Sequence, residues 1–389
     1  MKIAVAGLGD PSLITTWSGI PAHIIAGLEQ KGHEVAAINL QPPAQPWYYN
    51  WLRRFYYRTK KQWFLAETSK KYLKAVAHQF DKAVAAANPD VVVAIHGDIL
   101  AYVTFKQPSC LIHDTTFELL VDYYPEFTKL TKRSIASGNQ MYKLALNRAN
   151  AAIFSSEWAS KSAADFYECP TYKLHTMPFG ANLEKVPDTE LVEQLIKQRA
   201  GNDTCNLLFI GVKWERKGGP FALQCVAELN KMGLQTLLTV VGCEPEIPAE
   251  MEKFVRRAGF LKKDNENDAK QLDTFLQTAH ALIVPSVAEC YGCVYCEANA
   301  YGLPALAKDT GGVSEIIKDG LNGFLIPADQ SPDIFAKRWL DVWNNKTNYA
   351  SLSKTSRNEF EKRLNYQVFT NHLETILVNI QGVTKPFQS

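Results

Sequence analysis

No stretch of this chain reaches the eighteen or so apolar residues that a membrane-spanning helix requires, which removes spanning topologies from the first reading. An excess of either charge is missing as well. The 42 Lys and Arg are set against 40 Asp and Glu, a net of +2, so the broad positive field of a nucleic-acid binder is absent and no nucleic-acid partner is expected. The opening run MKIAVAGLG is too short and too punctuated by glycine for a secretory signal. A cytoplasmic protein is expected, and its eight cysteines are expected as thiols and not as bridges. A tight dinucleotide fingerprint is lacking too. Gly7-Leu-Gly9 has no third glycine at the required spacing, and the strand-to-helix connection GLGDPSLITTWSGIP is long, which counts against nicotinamide chemistry. No short internal repeat is visible.

What is present reads as two α/β halves. A chain of 389 residues is too long for one ordinary core, and 46% hydrophobic with 21% charged residues is usual for a globular chain. Lys2 to Ala6 reads as a buried strand, Ile20 to Lys31 as a helix ended by Gly32, and Glu34 to Ile38 as the next strand, together a βαβ unit. Buried-strand signals recur at Pro89 to Ile95, Ser109 to Ile112 and Ala151 to Phe154. Met177-Pro-Phe-Gly180 closes this half, and the polar stretch 182–204, with a short helical patch, reads as a connection. The second half opens with Leu207 to Ile210, followed by strands at Leu237 to Val241 and Val255 to Gly259. A last amphipathic helix begins at Tyr366. The domains expected are 1–182 and 183–365, with 366–389 as the closing helix.

The stretch ALIVPSVAECYGCVYCEANAYGLP, 281–304, organises the second half. Ala281 to Val284 is a short apolar run of the kind a strand buried on both faces needs, and Pro285-Ser286 ends it. Val294, Ala298 and Tyr301 recur at helical spacing, so Glu297 falls inside a helix and Glu289 on the turn before it. Helix-start N–H groups and the helix dipole favour an anion such as a diphosphate, and carboxylates accept hydrogen bonds from sugar hydroxyls. Strand, acidic turn and helix together describe a nucleotide-sugar site. Upstream, IGVKWERKGG at 210–219 is a strand end, a basic turn and a helix start. Lys213, Arg216 and Lys217 cluster there, where cations can neutralise a diphosphate leaving group.

Glu289 and Glu297 with seven residues between them, the tail GLPALAKDTGGVSEIIKDGLNGFLIP and the upstream IGVKWERKGG resemble the donor site of retaining GT-B glycosyltransferases, family four of that class (glycosyl transferases group 1). The resemblance implies two Rossmann-like, doubly wound domains facing each other across a cleft, an N-terminal acceptor domain on which the closing helix packs back, and a C-terminal donor domain. It implies a metal-independent hexosyl transfer with a nucleoside-diphosphate sugar as co-substrate, no cofactor, and a hydroxyl of a glycan, a lipid-linked carrier or a small molecule as acceptor, in polysaccharide or glycolipid synthesis. Retention is expected by front-face displacement, the departing diphosphate assisting deprotonation of the acceptor. By resemblance the catalytic residues are Glu289, His113, Lys217 and Arg216. The donor is held by Gly19, Gly211, Lys213, Arg216, Lys217, Glu289, Gly292, Cys293, Val294 and Glu297, with Glu297 on the ribose, Glu289 on the transferred sugar and the backbone of Cys293 and Val294 on the phosphates. The chain departs from the commoner pattern at Val212, where relatives place an arginine, which leaves Lys213 and Arg216 as rivals for the second cation.

Four features carry alternatives. His96 and His113 each follow a strand directly, where side chains line the ligand crevice of an open sheet; either can equally be a hydrogen-bonded structural histidine. Ser18-Gly19, just before Pro21, either brings backbone close to phosphate or is a plain turn. The segment 47–64, WYYNWLRRFYYRTKKQWF, holds nine aromatic residues and five Lys or Arg with no acid before Glu67. It suits peripheral contact with the inner membrane face, an acceptor wall of stacking rings, or simple packing. Cys290, Cys293 and Cys296 have the spacing of part of an iron–sulfur or zinc site, but a fourth ligand is not evident, and small apolar residues around a helix start explain them without metal. Two rivals to a transferase remain on the same architecture: a sugar-nucleotide epimerase, and a non-catalytic glycan or nucleotide-sugar binder. A phosphorylase would need a pyridoxal-bearing lysine, for which no context is seen.

Overall fold

A computed structural model describes residues 1–384, so the last five residues of the expected closing helix, 385–389, lie outside the described residues. Among the described residues the chain divides into two compact units, one made of Met1–Pro178 with Tyr366–Thr384, the other of Phe179–Asn365. Among the described residues no helix is long and apolar enough to cross a membrane.

The first unit is built on a parallel sheet of β1 (Lys2–Leu8), β2 (Glu34–Leu40), β3 (Val91–Ile95), β4 (Ser109–His113), β5 (Ala151–Phe154) and β6 (Leu174–Thr176), in the order β2-β1-β3-β4-β5-β6. The central strands are continuous apolar runs because helices cover both faces of a parallel sheet. Val91 to Ala94 are accordingly buried outright. The chain leaves β1 toward β2 and returns to its other side at β3, so the loops after β1 and β3 diverge at the point where an open sheet leaves a crevice. The helix Tyr366–Thr384 packs on the helix Ile20–Gln30. A Cβ on Gly27 would fall 2.6 Å from the Thr370 methyl. Glu374 accepts from Lys31 Nζ at 3.1 Å and lies 2.8 Å from His33 Nε2.

The second unit repeats the plan with β7 (Cys205–Ile210), β8 (Thr236–Val241), β9 (Val255–Gly259), β10 (Ala281–Ile283), β11 (Ala305–Lys308) and β12 (Gly323–Ile326), all parallel, ordered β12-β11-β10-β7-β8-β9. Its reversal lies between β7 and β10. The short helical patch within residues 182–204 is the helix Thr189–Ala200, whose Val192, Leu195 and Ile196 are buried. Arg199 on the same helix is buried and donates to the carbonyls of Leu195, Ala279 and Tyr301. A guanidinium sunk among backbone acceptors makes a core helix look polar in sequence.

Candidate functional site

The loops that follow β7 and β10 flank the reversal of the second sheet, and their side chains meet at one carboxylate. Lys217 Nζ is bonded to Glu289 Oε2. Arg216 Nη1 lies 3.7 Å from the same oxygen and donates to the Ala288 carbonyl at 2.8 Å. Ser286 Oγ donates to Glu289 Oε2 at 3.3 Å. Glu289 is buried, 7% exposed. Placing a carboxylate out of water costs several kcal/mol, and the two cations and the hydroxyl offset it.

Backbone contacts hold the two loops together. Val287 N–H donates to the Arg216 carbonyl at 2.8 Å. Gly218, which caps the helix Gly219–Lys231, sits at φ 77°, and a Cβ there would lie 1.9 Å from the Pro285 carbonyl oxygen. Only glycine tolerates both the left-handed backbone and that approach. Gly211 ends β7 directly under Lys217, whose Cγ a Cβ at Gly211 would meet at 2.9 Å. Lys213 is exposed, and its carbonyl accepts the Lys217 N–H at 2.8 Å. Of the two rivals for the second cation, Arg216 is thus the one brought to Glu289. Val212 is exposed.

Glu297 lies inside the helix Cys293–Ala300, which Gly292 caps. It is 4% exposed and bonded at 2.6 Å to Lys263 Nζ, which also donates to the Asn182 carbonyl at 3.0 Å. Lys263 was not singled out from sequence: it sits in the polar run LKKDNEND with nothing to separate it from Lys262. Cys293 and Val294 begin the helix, the end where backbone donors and the positive pole of the dipole lie. Of the cysteines, Cys290 and Cys296 are buried and Cys293 is half-buried. Cys296 Sγ lies 3.6 Å from both the Phe179 carbonyl oxygen and the Tyr291 hydroxyl. Burial pushes its thiol pKa up to about 12.

In the first unit a second cluster forms where β1, β3 and β4 end. His113 Nδ1 is 2.9 Å from the Tyr142 hydroxyl, and that hydroxyl donates its one proton to the Thr115 carbonyl at 2.6 Å. The Tyr142 oxygen must therefore accept from His113, which puts the proton on Nδ1 and a lone pair on Nε2. Burial, with the neighbouring His96, holds the His113 pKa well below the ordinary histidine value, so the ring stays neutral. The His96 ring lies 4.6 Å from that of His113 and 4.5 Å from that of Trp17, and burial lowers its pKa to about 4. His96 has φ 74°, and Trp17, Ser18 and Gly19 follow one another at φ 43°, 59° and 86°. Non-glycine residues enter this region at a cost of about 1–3 kcal/mol each. Asp98 Oδ1 is buried with no hydrogen-bond partner, and burial raises the Asp98 pKa to about 6. Trp17 and Tyr142 carry no sequence signal of their own, and Asp98 stands out only as lying two residues after His96.

The family described as Glycosyl transferases group 1 matches residues 204–345. Alpha-D-kanosaminyltransferase of Streptomyces kanamyceticus is 23% identical over 195 residues, 49% of this chain and 50% of that protein. The chain spans about half the length of the curated relatives it matches. Among solved structures, sucrose-phosphate synthase from Thermosynechococcus elongatus superposes with a TM-score of 0.73 at 16% identity, over 99% of this chain and 100% of that one. An Anabaena protein solved in complex with UDP gives a TM-score of 0.65 at 16% identity, over 97% and 100%, and it has also been solved with UDP-glucose. Residues 204–345 thus match the group 1 glycosyltransferase family, and the chain shares the GT-B fold of the solved structures it resembles.

Proposed function

We propose that this chain is a retaining glycosyltransferase that moves a sugar from a nucleoside-diphosphate donor to a hydroxyl of a glycan, lipid-linked or small-molecule acceptor. One observation carries the reading: Lys217 and Arg216 converge on Glu289 where the second sheet reverses, inside the segment that matches the group 1 family. The Anabaena complexes with UDP and UDP-glucose favour a UDP-sugar as the first donor to try.

In the proposed reaction the bond between the anomeric carbon and the diphosphate oxygen breaks. The acceptor oxygen bonds to the same face of that carbon, and its proton passes to the departing diphosphate. Lys217 and Arg216 offset the charge that grows on the leaving group, with the backbone donors of Cys293 and Val294 beside them. Glu289 holds a hydroxyl of the transferred sugar and serves as counter-ion to the two cations when no donor is bound. Glu297 takes the ribose hydroxyls, oriented by Lys263. Gly19, Gly211 and Gly292 let backbone approach the donor. In the first unit, the neutral ring of His113 offers Nε2 as a hydroxyl acceptor. Since paired side-chain cations supply the positive charge, turnover is expected to be indifferent to EDTA.

Loss of one contact to a developing charge costs on the order of 3 kcal/mol, about a hundredfold in rate. Lys217→Ala and Glu289→Gln are each expected to lower kcat/KM by that order, read as release of nucleoside diphosphate from a UDP-sugar. Near-normal turnover in both discards the assignment. An epimerase would consume the donor without acceptor and release no nucleoside diphosphate. A binding protein would take up donor tightly and turn over nothing.

A further inference from the structure

The helix Trp47–Lys60 has two faces of opposite character. Tyr49, Leu52 and Tyr56 turn inward and pack with Phe64 and Ala66 in a small cluster of their own, and Arg53 is tied to Glu67 at 2.6 Å. That face is spent on holding the helix to the first unit. The opposite stripe follows the helical repeat through Trp47, Trp51, Arg54, Phe55 and Arg58, all exposed. Trp47 is 80% and Trp51 57% exposed, and the Trp51 and Phe55 rings stack at 5.4 Å. Just past the helix the exposed Trp63 packs on Tyr57 at 4.7 Å, with Lys61 Nζ over the Tyr57 ring at 5.3 Å. Nine rings and five cations occupy 47–64 without an acid until Glu67.

We propose that this stripe docks the protein on an anionic lipid surface, the rings entering at headgroup depth and Arg54, Arg58, Lys60 and Lys61 meeting lipid phosphates. An exposed row of large rings is costly in water, and a row flanked only by cations selects an acidic, partly apolar partner. Two large indoles on the outer stripe of an amphipathic helix, with cations interleaved, suit the plane of a bilayer interface better than a narrow sugar groove. Packing, the blandest account of these aromatics, explains Tyr49, Tyr56 and Phe64 but leaves the outer stripe without a role. This surface stands apart from the transferase reading, because it shares no residue with the sites of either sheet.

The test is flotation of the full chain with vesicles of equimolar phosphatidylglycerol and phosphatidylcholine, against phosphatidylcholine alone. The expected result is at least roughly tenfold stronger binding to the anionic vesicles at low salt, lost as salt rises. Arg54→Gln with Arg58→Gln should weaken that binding about thirtyfold, and Trp47→Ser, Trp51→Ser and Phe55→Ser together should abolish it. The charge pair provides the decision if the triple variant unfolds, since both arginines are exposed and leave the inner face intact. Absence of flotation at low salt, equal flotation of the variants, or a monomer–dimer shift as their sole effect overturns the proposal. So does a fall in turnover on a soluble acceptor with flotation unchanged, which would mark the stripe as an acceptor wall.

Discussion

At the scale of single residues, burial sets what each charged group can do. Glu289 is held by Lys217, by Arg216 at 3.7 Å and by Ser286 at 3.3 Å, so removing Lys217 deprives a buried carboxylate of its nearest cation. Lys217→Ala is therefore expected to lower unfolding stability by about 3 kcal/mol in denaturant titrations. Lys217→Met combined with Glu289→Gln should recover most of that loss without recovering turnover, which separates the fold's use of the pair from the chemistry's use. Gly218→Ala should destabilise by about 3 kcal/mol or more, because its Cβ would lie 1.9 Å from a backbone oxygen and its φ of 77° is left-handed. Glu289, Glu297 and Lys217 were legible in sequence because their spacing around strand ends and helix starts follows from the chain alone. Lys263, and the meeting of Trp17 with His96 and His113, were not, since these are brought together by loops and by segments far apart along the chain. The choice between Lys213 and Arg216 also needed coordinates: a tight basic turn sends consecutive side chains in different directions, and periodicity does not apply there.

At the scale of elements, the strands were the most readable parts. Runs such as Val91 to Ile95 and Leu207 to Ile210 are apolar on both sides because both faces of a parallel sheet are covered. The helix Thr189–Ala200 was legible as a short helical patch but not as a core element, because Arg199, buried here, counts as polar in any pattern. Its guanidinium answers carbonyls from three places, Leu195, Ala279 and Tyr301, which no local window displays. The helix Tyr366–Thr384 depends on a close approach, with Thr370 against Gly27, and on Glu374, whose pKa is lowered chiefly by its bond from Lys31 and then by His33. Gly27→Val is expected to loosen this helix selectively. Hydrogen exchange should quicken across 366–384 and in Ile20–Gln30 by about tenfold or more, as befits a local opening, with β7 to β12 unaffected. Equal quickening throughout would mean the helix is not a separable element.

At the scale of the whole molecule, buried histidines couple stability to acidity. His96 and His280 have pKa values lowered to about 4 by burial, so both stay neutral in the folded chain while the unfolded chain protonates them below about 6.5. Falling pH therefore feeds protons to the unfolded state, and stability should drop between about pH 6.5 and 4, each histidine costing about 3 kcal/mol at most. Asp98, raised to about 6, works in the other direction over nearly the same window, since its folded form takes up a proton first. With His113 also depressed, the histidines outnumber it, and the melting temperature is expected to fall as pH falls from 6.5 to 4. His280 Nδ1 accepts the Asn206 N–H at 2.9 Å. His280→Asn can keep an acceptor there but has no proton to gain, so its melting curve should depend on pH less steeply. One topological fact reaches furthest. The second unit is a single uninterrupted length of polypeptide, whereas the first is assembled from the chain's opening and closing portions. During translation the ribosome emits every strand of the earlier sheet first, yet the helix that covers Gly27 emerges only after the later sheet is complete. The earlier sheet's unit is thus completed only after the later one, and until then the face of Ile20–Gln30 that Thr370 meets at Gly27 is left bare.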